Sequence, residues 1–332
     1  MKQDKTLSHN IQIYIIDYLK KQRRFSQNTI STYSYGFIKF INFLKAKKID
    51  IDLFEISDIN YELISEYIIY LENENNCNKT INNRISIIKS FVEYTTLKFP
   101  EMLENNRKIK NIKKLKEKVK IHEYLTVEEV HLIINESKEN IKYQTIISLL
   151  YDCALRVSEL TNLKVEDINL KGNDKILIVE NGKGNKSRSL YLSKEIVRLL
   201  KKYYKEYNVT NYLFENKYNN IYNRKGITYI LEKYYYQAKS KCKDKTMFKI
   251  KPHCHLLRHS KGVHMVDAGI SLYEIKEYFG HSNISTTEIY ARLSSKRMKE
   301  ILENSSLNKK INIKRSEREK AELEKFLQNQ IK

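Results

Sequence analysis

The sequence predicts a mainly α-helical protein of two domains, the second carrying one small β-hairpin. Three observations lead there. Only 2 prolines and 8 glycines interrupt 332 residues, so most of the chain is free to run as helix. Apolar residues recur at spacings of three and four, the period of one buried helix face. One stretch, 174–192, breaks that period and reads as two short strands around a glycine-containing turn.

Four amphipathic helices are expected in residues 7–100. The first covers about Ser8 to Gln22, with Ile11, Ile13, Tyr14, Ile15 and Leu19 apolar. Ser26 fits the cap of the second, which repeats Ile30, Tyr33, Phe37, Phe40, Ile41 and Leu44. The third runs from about Asp58 through Leu63, Ile64, Tyr67, Ile68 and Leu71, and the fourth from near Lys79 through Ile81, Ile85, Ile88, Phe91, Val92 and Leu97. Together they make a small bundle, 1–106. Pro100 closes it, and a basic linker follows, 107–122. Eight basic residues and one acid lie between Arg107 and Lys120, so the linker is either a solvated tether or a strap across a phosphate backbone.

The second domain, 123–304, opens on Thr126-Val-Glu-Glu129, a helix-capping box. Helices are expected at about 127–138 and 141–152. Strands follow at Lys175–Glu180 and Arg188–Leu192, with a turn from Asn181 to Asn185. Helices resume at Lys194–Tyr204, Lys225–Lys239 and through most of 256–303. The polar tail, 305–332, places Leu323, Phe326 and Leu327 on one side of a helix of marginal length, which would need a partner surface.

Composition narrows the class. No apolar run approaches the roughly 18 residues of a membrane span, and MKQDKTLSHN lacks a signal layout, so a soluble, cytoplasmic protein is expected. Lys plus Arg total 61 against 40 Asp plus Glu, a net charge of +21. Such an excess is common where the partner is a polyanion, although Lys, Asn, Ile and Tyr also share AT-rich codons. The four cysteines form no CxxC pair and read as reduced thiols. Cys254 lies between His253 and His255, but no second ligand cluster accompanies it, so no metal is expected.

Three segments carry chemistry. Cys153-Ala-Leu-Arg156-Val-Ser-Glu-Leu160 puts an arginine at a helix junction, where Glu159 can support it. Gly182-Lys183-Gly184-Asn-Lys186-Ser-Arg188 is a basic hairpin tip whose glycines let backbone approach a phosphate. It is not a phosphate-binding loop of the Gly-Lys-Ser/Thr type opening a helix. His253-Cys-His255-Leu-Leu-Arg258-His259, Gly280-His281 and Thr286-Thr-Glu-Ile-Tyr290-Ala-Arg292 form the third. His255 and Arg258, three apart, share a helical face. His259 and His264 read as packing residues.

In their order these segments resemble the tyrosine recombinases, the phage integrase family, over nearly the whole chain. Ser26-Gln-Asn-Thr-Ile30 through Phe43-Leu44, and Thr80-Ile-Asn-Asn-Arg84 to Phe91, look like that family's helical core-binding, SAM-like domain. Ala154 to Leu160 is similar to its first arginine motif, Gly182 to Lys186 to its hairpin lysine motif, and His255 to Arg292 to its C-terminal signature in a mixed α+β catalytic domain. Leu257-Arg-His-Ser260 and Thr286 to Arg292 look most like integrases and transposases of mobile elements.

The resemblance implies that Arg156 and Arg258 grip a DNA phosphate while Tyr290 attacks it, giving a 3′-phosphotyrosyl link. His255 would assist the phenol proton, Lys183 protonate the leaving 5′ oxygen, and His281 hydrogen-bond the phosphate region. The family often has its histidine right after a proline, as His253 follows Pro252, but the spacing to Arg258 selects His255. No cofactor is implied. Lys113, Lys114, Lys186 and Arg188 would contact duplex DNA. A homo-tetramer on paired sites is implied, with the segment Ser294–Leu302 exchanged in trans and room for accessory DNA-bending proteins. The rival readings are a type IB topoisomerase and a non-catalytic DNA-binding regulator on the same fold.

Overall fold

The computed structural model describes residues 4–117, 123–180 and 187–293. The chain divides into two compact units, 1–120 and 121–332, each around its own core.

In the first unit, α1 (Leu7–Ile13) runs directly into a π-wound segment, Tyr14–Gln22. Here Arg23 N donates to Tyr18 O at 2.8 Å, five residues back. That winding puts Tyr14 and Leu19 on one face, and both are buried. Ser26 caps α2 (Gln27–Ala46), and the Asn60 side chain caps α3 (Tyr61–Asn73) by accepting from Leu63 N at 2.8 Å. The fourth helix is α4 (Asn78–Lys98).

A fifth helix, α5 (Leu103–Lys110), extends the expected four. Pro100 does end α4, but Met102 and Ile109 are apolar and complete the same core, so the chain re-enters helix. Arg107 to Lys110 are therefore helix rather than tether. Beyond them Ile112 and Leu115 pack on this core. The Asn82 carboxamide clasps Leu115, with Nδ2 donating to its carbonyl at 2.9 Å and Oδ1 accepting from its N–H at 2.8 Å. Lys113 and Lys114 stay exposed between these anchors.

The second unit opens on the predicted capping box. Glu129 N donates to Thr126 Oγ1 at 3.1 Å and Thr126 N to Glu129 Oε2 at 2.7 Å, starting α6 (Val127–Glu136). Helices α7 (Ile141–Asp152) and α8 (Val157–Thr161) follow. The sheet has three antiparallel strands in sequence order, one more than the hairpin alone: β1 (Ile168–Asn169), β2 (Ile176–Val179) and β3 (Arg188–Tyr191). Val179 pairs with Arg188 and Ile176 with Tyr191.

Then come α9 (Lys194–Glu206), α10 (Arg224–Lys241), α11 (Cys254–Asp267), α12 (Leu272–Phe279) and α13 (Ser285–Leu293). The mainly α architecture with a small sheet is the one predicted. The main core packs around α7, whose Ile146, Ile147, Leu149 and Leu150 are all buried. A smaller cluster gathers Ala154, Val263, Val266, Ile275, Phe279 and Tyr290. His264 is a packing residue: Nε2 contacts the Leu125 carbonyl at 2.9 Å and Nδ1 the Tyr151 hydroxyl at 2.8 Å. A carbonyl only accepts, so Nε2 carries that proton.

Candidate active site

The site begins at the junction of α7 and α8. Ala154 has φ of 48°, a left-handed conformation that costs an L-residue roughly 1–2 kcal/mol. The turn aims the Ala154 carbonyl at Arg258 and makes Arg156 the N-cap of α8. Arg156 N donates to Glu159 Oε2 at 2.8 Å, and its Nη1 to Glu159 Oε1 at 2.6 Å. The Arg156 side chain keeps 33% exposure, so it still faces solvent.

Glu159 does more than support Arg156. It is buried and takes both guanidinium nitrogens of Arg188, at 3.0 and 2.8 Å, while Arg258 Nη1 lies 3.9 Å away. Burial works to raise its pKa, but the hydrogen bonds and charge of Arg188, then those of Arg156, hold it down at about 2. Its folded pKa thus lies below the ordinary 4.5. The stability it contributes is present above pH ~4.5 and is lost as pH falls toward 2, about 3 kcal/mol in all. Urea unfolding of the wild type and Glu159→Gln at pH 6 and pH 3 checks this. The gap between them should narrow at pH 3; a gap independent of pH would contradict it.

Arg188 corrects one expectation. Placed at the basic hairpin, it was expected to meet DNA, yet its side chain is 8% exposed and paired with Glu159. The reason is strand alternation: Arg188 and Leu190 share the inward face of β3, Ser189 and Tyr191 the outward one.

Arg258, in the second turn of α11, is 3% exposed. Its Nη1 donates to the Ala154 carbonyl at 2.5 Å, its Nη2 to the Phe279 carbonyl at 2.7 Å, and it lies over the Phe279 ring at 4.6 Å. Burial first, then the charge of Arg156, push its pKa down to about 9. Both influences disfavour this cation, so an arriving anion gains from them.

The turn from α12 into α13 brings the remaining groups. Gly280 ends α12 at φ of 61°, where a side chain would be strained, and its carbonyl accepts from Arg156 Nη2 at 3.4 Å. His281 follows, with Nε2 3.0 Å from Arg258 Nη2 and Nδ1 2.9 Å from Thr287 Oγ1. Tyr290 is 1% exposed, its ring 6.3 Å from His281, 5.9 Å from His259 and 5.4 Å from Phe279. It lies against Gly262 of α11, where a Cβ would come within 2.6 Å of the Tyr290 ring; only glycine admits the phenol there. Burial raises the Tyr290 pKa, while the Arg258 and Arg156 guanidiniums and a hydrogen bond with Arg258 pull it down.

His255 is on the exposed side of α11. Partial desolvation and the charges of Arg258, Arg224, His253 and Arg156 lower its pKa, leaving a neutral ring at pH 7. His253 answers instead to desolvation, Glu123 and Arg224. Both rings feel Arg224, but of the two His255 also feels the charges of Arg258 and Arg156. The structure therefore brings Arg156, His255, Arg258, His281 and Tyr290 together. Lys183 and Lys186 lie outside the described residues, as do Ser294–Leu302 and the tail 305–332.

Comparison with known proteins follows the same outline. Residues 123–297 match the phage integrase family, and residues 14–98 match the phage integrase N-terminal SAM-like domain. A tyrosine recombinase of Thermosipho africanus is 31% identical over 286 residues, covering 84% of this chain and 93% of its own. The tyrosine recombinase XerA of Pyrococcus furiosus is 30% identical over 306 residues, covering 92% and 96%. Among solved structures, the XerH site-specific recombinase in its post-cleavage complex with palindromic difH substrate matches with a TM-score of 0.66 at 20% identity, over 85% of this chain and 81% of that one. The Tn1549 transposon integrase in complex with transposon right end DNA matches at 0.65 and 15% identity, over 89% and 99%. At such identities these two speak for the fold alone.

Proposed function

Because this chain belongs to the phage integrase family, we propose that it is a site-specific recombinase of duplex DNA in which Tyr290 is the nucleophile. One observation carries the reading: α8, α11, α12 and α13 converge so that two guanidiniums, two imidazoles and one phenol share a single site.

Phosphodiester cleavage builds charge on the nonbridging oxygens, and Arg156 and Arg258 are placed to hold them by charge-assisted hydrogen bonds. The phosphate enters where Arg156 and His255 are exposed, and DNA must uncover the buried Tyr290 hydroxyl. The phenol oxygen then bonds to phosphorus as the bond to the 5′ oxygen breaks. The phenol proton passes to neutral His255, and Lys183 supplies the proton for the departing 5′ oxygen. The 3′-phosphotyrosyl link keeps the bond energy, so attack by a second 5′ hydroxyl rejoins the strand without a nucleotide cofactor. Lys113, Lys114 and Lys186 contact the backbone and weaken binding as salt rises. The active assembly is a tetramer on paired sites, its C-terminal segment exchanged between protomers, acting in the cytoplasm to move a mobile element. The similarity of Leu257 to Ser260 and of Thr286 to Arg292 to integrases and transposases of mobile elements supports that last role.

Nicked duplexes tiled across the DNA flanking its own gene test the function. The expected result is a covalent protein–DNA complex and site-dependent strand joining. DNA binding without any covalent complex would reduce the chain to a regulator, and relaxation of a supercoiled plasmid assayed in parallel, without a preferred site, would make it a topoisomerase.

A further inference from the structure

Beyond α5 the chain leaves regular structure from Ile112 to Glu117, yet side chains of α4 pin it along its length. Asn78, Asn82 and Lys89 stand on one face of that helix, one turn and then two turns apart. The Lys89 ammonium donates to the Lys110 carbonyl at 3.1 Å and to the Ile112 carbonyl at 2.6 Å, where α5 ends. The Asn82 carboxamide meets Leu115 as a neighbouring strand would, accepting from its N–H at 2.8 Å and donating to its carbonyl at 2.9 Å. Asn82 Nδ2 also donates to Glu117 Oε1 at 3.0 Å, and Asn78 Nδ2 to the Lys116 carbonyl at 2.8 Å. Ile112 and Leu115 pack inward on the core, while Lys113, Lys114 and Lys116 stay exposed. Asn82 is 7% exposed, so its carboxamide is withdrawn from water and committed to holding this segment.

On the reading of this chain as a DNA recombinase, we propose that Asn82 is a positioning residue that fixes Ile112–Glu117 as a preformed strap, holding Lys113 and Lys114 ready for a phosphate backbone. A tether that only joined two domains would gain nothing from being pinned. A surface for a polyanion gains, because a loose segment must surrender its backbone freedom on binding, at about tenfold in affinity for each residue fixed. The clasp meets that cost during folding, before DNA arrives. It also keeps like charges close: burial, and then the Lys114 charge, lower the Lys89 pKa. A phosphate at Lys114 relieves a repulsion that the fold has already built in.

Amide hydrogen exchange on the full-length protein without DNA reads the clasp. The Leu115 N–H should exchange at least about tenfold more slowly than in a free peptide, and Asn82→Leu, similar in shape but without polar atoms, should remove that protection. Binding to nicked duplex DNA reads the consequence. Asn82→Leu should weaken it about tenfold in the otherwise wild-type chain. With Lys113→Gln and Lys114→Gln already present, the same change should cost less than about twofold, because a strap that no longer grips DNA need not be ordered. A merely structural role would cost the same in both backgrounds, and that equality would overturn the proposal. An unprotected Leu115 amide or unchanged binding by Asn82→Leu would do so too. Should Asn82→Leu fail to fold, Asn78→Ala, a change at an exposed side chain, enters the same cycle with the same expected pattern. A wild-type chain that binds no DNA would sink the recombinase reading itself, whereas a chain that binds and cleaves DNA with no coupling between Asn82 and the two lysines would sink the strap alone.

Discussion

Tyr290→Phe is expected to abolish the covalent protein–DNA complex and to slow strand cleavage by a factor on the order of 10⁴ or more, since no other group replaces a lost nucleophile. Folding should survive. The ring's packing against Gly262 and Phe279 is untouched, and only the hydroxyl is lost. Binding to nicked DNA should stay within a few-fold of wild type, because the exposed lysines and Arg156 remain. Gel separation of covalent from non-covalent complexes reads both quantities on one sample. Residual adduct in the variant would point to another of the 25 tyrosines.

Arg258→Lys carries the second large effect. The guanidinium reaches the Ala154 carbonyl, the Phe279 carbonyl and His281 Nε2 at once. A lysine keeps the charge but cannot span those acceptors in a plane. Cleavage should fall by roughly 10²–10³, the loss found when one preorganised transition-state donor is removed. Stability should fall as well, by about 1–3 kcal/mol for each buried carbonyl left without a donor. Single-turnover cleavage and urea unfolding separate the two effects. A variant that cleaves at the wild-type rate would remove Arg258 from the chemistry.

Much of this was legible in the sequence because local rules and tertiary packing agree. Ser26 and the Thr126–Glu129 box start helices where their side chains can accept orphan backbone N–H groups. The spacing of His255 and Arg258 places them on successive turns of α11. The rest was hidden for physical reasons. The positive φ of Ala154 leaves no compositional trace, yet it sets both arginines. Glu159 was read as a partner for Arg156, while its bond to Arg188 spans 29 residues and depends on the sheet. Arg188 itself could have been placed, since it alternates in register with Leu190; its nearness to a lysine-rich turn suggested DNA instead. The π-wound segment after Ile13 needs Tyr14 and Leu19 buried together, which a period of 3.6 does not provide.

The attachment point of the DNA decides the central claim most directly. A nicked duplex that traps the covalent intermediate, followed by trypsin and nuclease digestion, leaves a nucleotide on one peptide. Fragmentation of the peptide Glu277–Arg292 should place that nucleotide on Tyr290 and leave Tyr278 unmodified. A nucleotide on Tyr278, on a tyrosine outside this peptide, or on no residue of a chain that demonstrably cleaves DNA would contradict the assignment of the Tyr290 phenol as nucleophile.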